Sequence, residues 1–259
     1  MGLAKMIDLT GKVIVVTGGY GHLGRGIVEA LVAHGGTALV LARDEHKFNT
    51  AFTGTKNVAF EYCDVASTES IATALQAVTA KFGKIDVLIN NAAYLKGKSA
   101  EKMTDEEWAS GIDGVLTSAF RTTREVIPIF TTQGYGKIIN VSSMYGMVAP
   151  DFGIYDDSPA FLNPPHYEAA KAGLLQLTRY YASYLGKLNI QVNAVSPGPF
   201  PSQTVQQDTG FVERLAAKTC LGRIGNPEDL GGIFVFLSSN AADFITGQNF
   251  AVDGGWTTK

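Results

Sequence analysis

Tyr167 and Lys171 stand four residues apart in the stretch PPHYEAAKAGLLQLTRYYA. On a helix that spacing puts a phenol and an ammonium on one face. A free tyrosine has a pKa of about 10 and shuttles protons poorly near neutral pH. A neighbouring cation stabilises the phenolate and lowers that pKa, making the phenol a better general acid and base. The pair alone is not diagnostic, because a core tyrosine beside a snorkelling lysine has the same spacing. Upstream, GKIINVSSMYG ends a strand-like run in Ser142 and Ser143. A hydroxyl at the end of a parallel strand can hydrogen-bond a substrate oxygen whose charge changes during reaction. The same serines also suit an ordinary turn.

A second constellation lies near the N-terminus, where VIVVT runs directly into TGGYGHLGRGIVEAL. Gly19, Gly21 and Gly24 satisfy G-x-G-x-x-G between a strand pattern and a helix pattern. In that context glycines let the backbone approach a pyrophosphate seated at the helix N-terminus. The next strand pattern ends LVLARDEHK, where a carboxylate would take the ribose hydroxyls of NAD and an arginine the extra phosphate of NADP. Ala42 stands where the acid is expected and Arg43 follows it, which favours NADP over NAD. A small change of register would bring Asp44 into contention.

The elements that must hold these groups are legible as alternating patterns. VIVVT (13–17), TALVLA (37–42), VAFEY (58–62), IDVLIN (85–90), KIINVS (137–142), IQVNAV (190–195) and QNFAV (248–252) read as strands. Most are nearly continuous in apolar residues, as expected of strands covered on both faces. Helix patterns fall at 23–34, 67–82, 104–130, 166–187 and 227–239, the last with Asn226 as N-cap and Pro227 in the first turn. The alternation implies right-handed crossovers and a single-domain α/β Rossmann fold, a doubly wound parallel sheet of about seven strands flanked by helices.

The chain has 259 residues, 46% hydrophobic and 17% charged, with a net charge of -3. That balance is globular and offers no electrostatic footprint for nucleic acid or an acidic membrane. Cys63 and Cys220 lack metal-like spacing and the four histidines do not cluster, so neither a disulfide framework nor a metal site is expected. The sequence MGLAKMIDLTGK has no apolar run of a signal peptide, which makes a cytoplasmic location the expectation.

In family order, TGGYGHLG, CDV (63–65), NNAA (90–93), NVSS (140–143), YEAAK (167–171), NAVSPGPF (193–200) and the tail GRIGNPEDLGG through ITGQNFAVDGG resemble the short-chain dehydrogenase/reductase family over nearly the full length. The resemblance implies an NAD(P)-dependent oxidoreductase interconverting an alcohol and a carbonyl. It makes Ser143 the carbonyl-orienting hydroxyl and Tyr167 the acid/base. Lys171 would lower the tyrosine pKa and hold the nicotinamide ribose. The cofactor phosphates would meet Gly18, Tyr20, Gly21, His22, Leu23 and Gly24. Asp64 and Val65 would meet the adenine, with Asn91 and Ala92 near the nicotinamide-side ribose. Pro197, Gly198 and Phe200 would flank the nicotinamide, with Ser202 close by. Family likeness also implies a homotetramer or homodimer built partly on the helices at 104–130 and 166–187.

Three departures stand out. With Gly18, Gly21 and Gly24 the turn reads T-G-x-x-G-x-x-G, as in the extended branch of the family, and His22 occupies a position usually held by glycine. Seven residues after Trp108, where the family usually has an asparagine, stands Val115, an apolar residue expected in the core. Ser143 and Tyr167 are 24 residues apart, leaving an insertion at 147–166 rich in proline, aromatic and acidic residues. Phe152, Tyr155 and Phe161 could wall a pocket there, with Asp151, Asp156 or Asp157 binding a polyol or amine; a surface or subunit-contact loop is the plain alternative. A small, polar or sugar-like substrate follows as an expectation. Residues 198–218 are expected to close over it as a lid. Two other functions fit the same motifs: an epimerase or dehydratase that retains its cofactor, and a non-catalytic dinucleotide sensor.

Overall fold

Val- and Ile-rich runs pair side by side in the structure, a computed structural model that describes residues 6–94 and 98–258. The strands are β1 Val13–Thr17, β2 Thr37–Ala42, β3 Val58–Tyr62, β4 Val87–Asn90, β5 Gly136–Val141, β6 Ile190–Pro197 and β7 Asn249–Val252. They form one parallel sheet in the order β3-β2-β1-β4-β5-β6-β7. The winding reverses between β1 and β4, which opens a crevice beyond their C-terminal ends.

Alternation along each strand feeds two cores. Ile14 and Val16 face helices α1 (His22–Ala33) and α8 (Glu228–Ser238). Val13 and Val15 face α3 (Thr68–Phe82), α5 (Ser118–Gln133) and α6 (Pro165–Leu185). Val16 sits between Val40 and Ile89 with no exposed surface, so the strand is apolar on both sides. Helices α1 and α8 pack closely because Gly26 and Gly231 face them: a Cβ on Gly26 would lie 2.8 Å from the Pro227 carbonyl carbon, and one on Gly231 would lie 2.6 Å from Ala30 Cβ.

Three elements differ from the sequence patterns. The run at 104–130 is two helices, α4 (Asp105–Ile112) and α5, joined by a π-helical turn at Asp113–Thr117. Gly114 lets the loop after β4 come close to this turn, since a Cβ there would sit 1.8 Å from the Tyr94 carbonyl oxygen. A short helix, α2 (Glu45–Ala51), starts where Asp44 accepts a hydrogen bond from the Lys47 N–H at 2.9 Å. At α8 the Asn226 side chain makes no cap; instead Asp229 turns back to accept from the Asn226 N–H at 2.9 Å.

The insertion folds as two short 3₁₀ turns, Phe152–Tyr155 and Pro159–Phe161, against α7 (Thr209–Lys218). Met144, Tyr145, Ile154, Tyr155, Phe211 and Trp256 make a third, aromatic core between them. Polar contacts clasp the same surfaces. Ser158 Oγ donates to Asp208, the N-cap of α7, at 2.7 Å, and Arg214 donates to the Ile154 carbonyl at 2.9 Å and to Ser158 Oγ at 2.8 Å. Asp151 pairs with Lys218. Phe152 is 59% exposed and is absent from the walls of the cavity described below, contrary to the expectation for that side chain.

Candidate active site

The ends of six strands meet at one cavity of about 500 Å³ beyond the crevice. The turn after β1 forms its floor. Gly18 takes φ +63°, which favours glycine, and its N–H donates to the Leu41 carbonyl at 2.8 Å. Gly24 has no room for a side chain: a Cβ would lie 2.6 Å from the Gly18 carbonyl oxygen and 2.8 Å from Asn91 Nδ2. Asn91 donates to the Thr17 and Gly18 carbonyls at 3.0 Å each, and Thr17 Oγ1 accepts from the Asn91 and Ala92 N–H groups at 3.0 Å. These bonds fasten the loop after β4 to the glycine turn. The effective glycines are 18, 21 and 24; Gly19 instead packs against Val40 and Val28 beneath the cavity.

Tyr20, Gly21, His22 and Leu23 line the cavity at the N-terminus of α1. His22 Nε2 is buried with no hydrogen-bond partner among the described residues, a polar atom suited to an anionic ligand. Arg43 lines the far end, is exposed, and has no ion-pair partner among the described residues. Asp44 is committed to capping α2 and to Lys47, which removes it from competition. Asp64 and Val65 follow β3, Asn91 and Ala92 follow β4, and Pro197, Gly198 and Phe200 close the other side. Ser202 is not among the lining residues; its carbonyl accepts from the Gln206 N–H at 2.9 Å, holding the following turn.

Ser143, Tyr167 and Lys171 meet at the inner end of the cavity. The Tyr145 N–H donates to Ser143 Oγ at 3.1 Å, and the Ser143 hydroxyl hydrogen-bonds the Tyr167 phenol. Ser142, the neighbour, turns the other way and donates to the Lys171 carbonyl at 3.0 Å. Lys171 Nζ donates to the Val141 carbonyl at 2.6 Å and lies 5.5 Å from the centre of the Tyr167 ring.

The electrostatics correct one expectation. Burial pushes the Tyr167 pKa up, with the Ser143 hydrogen bond opposing and the Glu168 charge adding to the rise. Lys171 is buried as well, and burial brings its own pKa down to about 8, which leaves it charged at neutral pH. Among the groups around Tyr167, desolvation is the largest influence on its pKa. Glu168, next along α6, is pushed up by burial to about 7.

Two features of the site were not visible in the sequence. Tyr94 lines the cavity, its hydroxyl bonded to Asp113, which Arg121 clamps with contacts at 2.7 and 3.2 Å. That triad holds the π-helical turn against the loop after β4. Val115, in the same turn, is 3% exposed and belongs to the packed wall behind Lys171, as expected of its apolar side chain. Buried Asn90 and Asn140 also lock the strand ends to α5 and α6, through Thr122 at 2.6 Å and Thr178 at 2.9 Å.

A family profile described as Enoyl-(Acyl carrier protein) reductase matches residues 22–257. A tropinone reductase homolog from Arabidopsis thaliana is 32% identical, covering 98% of this chain and 82% of its own. The 2-dehydro-3-deoxy-D-gluconate 5-dehydrogenase of Escherichia coli is 32% identical, covering 99% of this chain and 100% of its own. A crystal structure of a gluconate 5-dehydrogenase from Burkholderia cenocepacia, in complex with NADP and tartrate, superposes with a TM-score of 0.89 at 26% identity, covering 100% of both chains.

Proposed function

The chain belongs to the short-chain dehydrogenase/reductase family, and from that premise we propose that Ser143, Tyr167 and Lys171 run its oxidoreduction of an alcohol and a carbonyl. The observation that carries this reading is the convergence of the three side chains at the inner end of one crevice, opposite a glycine turn with no room for a Cβ at Gly24.

The residues present fit a nicotinamide dinucleotide: the close-approach turn, together with His22 Nε2 and Arg43, neither paired among the described residues, suits its phosphates. When bound, the cofactor supplies or accepts the hydride. The chain does the rest. Ser143 Oγ accepts from the Tyr145 N–H, which leaves its own O–H to donate toward Tyr167 or the substrate oxygen. In reduction Tyr167 gives its proton to that oxygen, while Ser143 donates a hydrogen bond to it; in oxidation the same phenol oxygen takes the proton back. Lys171 lends its charge beneath the phenol and offers its remaining N–H donors to the cofactor ribose. Arg43 makes NADP the favoured cofactor, because a guanidinium matches a phosphate in two-point geometry.

The substrate is small and polar or sugar-like, a reading supported by the names of the E. coli and Burkholderia relatives. Residues 198–218 close over it as a lid; α7 is clasped to the insertion and Pro199 is held by the Gly225 N–H at 2.9 Å, which leaves 202–207 as the part that moves. The protein works in the cytoplasm as a homodimer or homotetramer: Phe120, Tyr180 and Tyr184 are exposed on α5 and α6, beside a groove of about 540 Å³ lined by Leu116, Gly173 and Leu177. Among the described residues no helix is long and apolar enough to cross a membrane.

The test is a panel of sugars, sugar acids, cyclic ketones and β-keto thioesters, with NADPH or NADH oxidation followed at 340 nm. Turnover on hydroxylated ketones with NADPH preferred is the expected result. Turnover confined to apolar ketones removes the polar-substrate reading, and none with either cofactor removes the net redox reading.

A further inference from the structure

Ser143 owes its orientation to a turn too short to hold itself. It precedes a three-residue 3₁₀ turn, Met144–Gly146, closed by a Gly146 N–H bond to the Ser143 carbonyl at 2.9 Å. Turns of this length have poor intrinsic geometry and take their shape from what their side chains touch. Here the touching side chain is Tyr145. It is 7% exposed, meets Trp256 edge-on with ring centres 6.3 Å apart, and its hydroxyl pairs with the Tyr155 hydroxyl at 3.0 Å. The N–H of this same Tyr145 donates to Ser143 Oγ.

Tyr155 belongs to the insertion and is itself fixed. Its ring lies 5.7 Å from that of Phe211 on α7, and Arg214 on the same helix holds the preceding Ile154 carbonyl. An unbroken set of contacts therefore runs from α7 through the insertion to the hydroxyl at the end of β5. On the other side the turn has no room to roll, because a Cβ on Gly146 would lie 2.9 Å from the Lys171 carbonyl oxygen.

We propose that Tyr155 is a positioning residue for the reaction: its hydroxyl, through Tyr145, fixes the turn whose N–H orients Ser143. This rests on the reading of Ser143 given above. The insertion thereby supports the reacting centre from outside the cavity. Tyr155→Phe removes the hydroxyl bridge and leaves the ring packing in place, but strands the Tyr145 hydroxyl in a buried site. The turn then relaxes and Ser143 Oγ loses its fixed acceptor bond.

The experiment is a double-mutant cycle between Tyr155→Phe and Ser143→Ala, reading kcat, the KM for NADPH and the thermal midpoint, with Tyr145→Phe as a second way to break the same bridge. In the wild-type background either phenylalanine variant lowers kcat about tenfold with the KM for NADPH unchanged. In the Ser143→Ala background Tyr155→Phe costs less than about twofold more, because its effect passes through the serine. A full further tenfold loss in that background, or an undiminished kcat in both phenylalanine variants beside a crippled Ser143→Ala enzyme, overturns this inference alone. Full turnover by Ser143→Ala overturns the reading of the site and this inference with it.

Discussion

Lys171 Nζ donates to the Val141 carbonyl at 2.6 Å while standing 5.5 Å from the centre of the Tyr167 ring. The last carbonyl of β5 thus anchors the cation beneath the phenol, one turn along the same helix. The anchor does not keep Lys171 fully basic, since burial brings its pKa down to about 8. The lysine is held for catalysis in a place that is unfavourable for its charge.

Replacing it should therefore separate activity from stability. Below pH 8 the folded and unfolded states both carry the proton, and the folded state bears the whole desolvation cost. Between pH 8 and 10.5 the unfolded state binds more protons, so stability rises with pH until the cost is gone. Lys171→Met is expected to lower turnover by at least roughly a hundredfold while stabilising the fold by about 1–3 kcal/mol at pH 7. Thermal denaturation at pH 7 and pH 10.5 checks this, and the gain should shrink at the higher pH. A variant less stable than wild type at pH 7 would show that the ammonium contributes net stability.

Glu168 carries the opposite sign. Its folded pKa of about 7 lies above the ordinary 4.5, so the folded state binds more protons between those values and stability falls as pH rises. Glu168→Gln should gain roughly 1 kcal/mol at pH 8, a figure discounted for the solvent reaching the carboxyl, and nothing at pH 4.5. Because the Glu168 charge also raises the Tyr167 pKa, the variant should move the ascending limb of oxidative kcat/KM, where the phenol deprotonates, to lower pH. A profile that shifts upward or stays fixed would detach Glu168 from the phenol.

Arg43 offers the cleanest ligand discrimination. Its guanidinium lines the cavity with no protein carboxylate paired to it among the described residues. Arg43→Ala is expected to raise the KM for NADPH by about 10- to 50-fold and to leave that for NADH within about twofold. Equal losses for both cofactors would defeat the phosphate argument.

Strand periodicity and the spacing of short motifs were enough to read the sheet, the glycine turn and the Ser143, Tyr167 and Lys171 group. These depend on local sequence: β-branched runs, a turn needing close backbone approach, and an i, i+4 pair. What the sequence hid depends on tertiary contact. The π-helical turn at Asp113–Thr117 lies where the Tyr94 carbonyl comes against Gly114, a contact that no periodicity records. Asp44 reads as a ribose ligand until α2 is seen to start on it. The insertion reads as a pocket wall, yet its aromatic residues Tyr155 and Phe161 pack on Phe211, and Asp151 pairs with Lys218. The sign of the Tyr167 shift was also beyond reach, since counting charges along a helix omits the desolvation of both partners.

The central claim is that the Tyr167 hydroxyl moves the proton while the rest of the cavity holds the cofactor. Its most direct test is Tyr167→Phe, which removes one oxygen and keeps the ring. Single-turnover reduction should be measured at saturating NADPH, with NADPH affinity followed by fluorescence on the same samples. The account predicts a rate lower by about 10²–10⁴ with the affinity within about twofold. A rate within tenfold of wild type at unchanged affinity would contradict it.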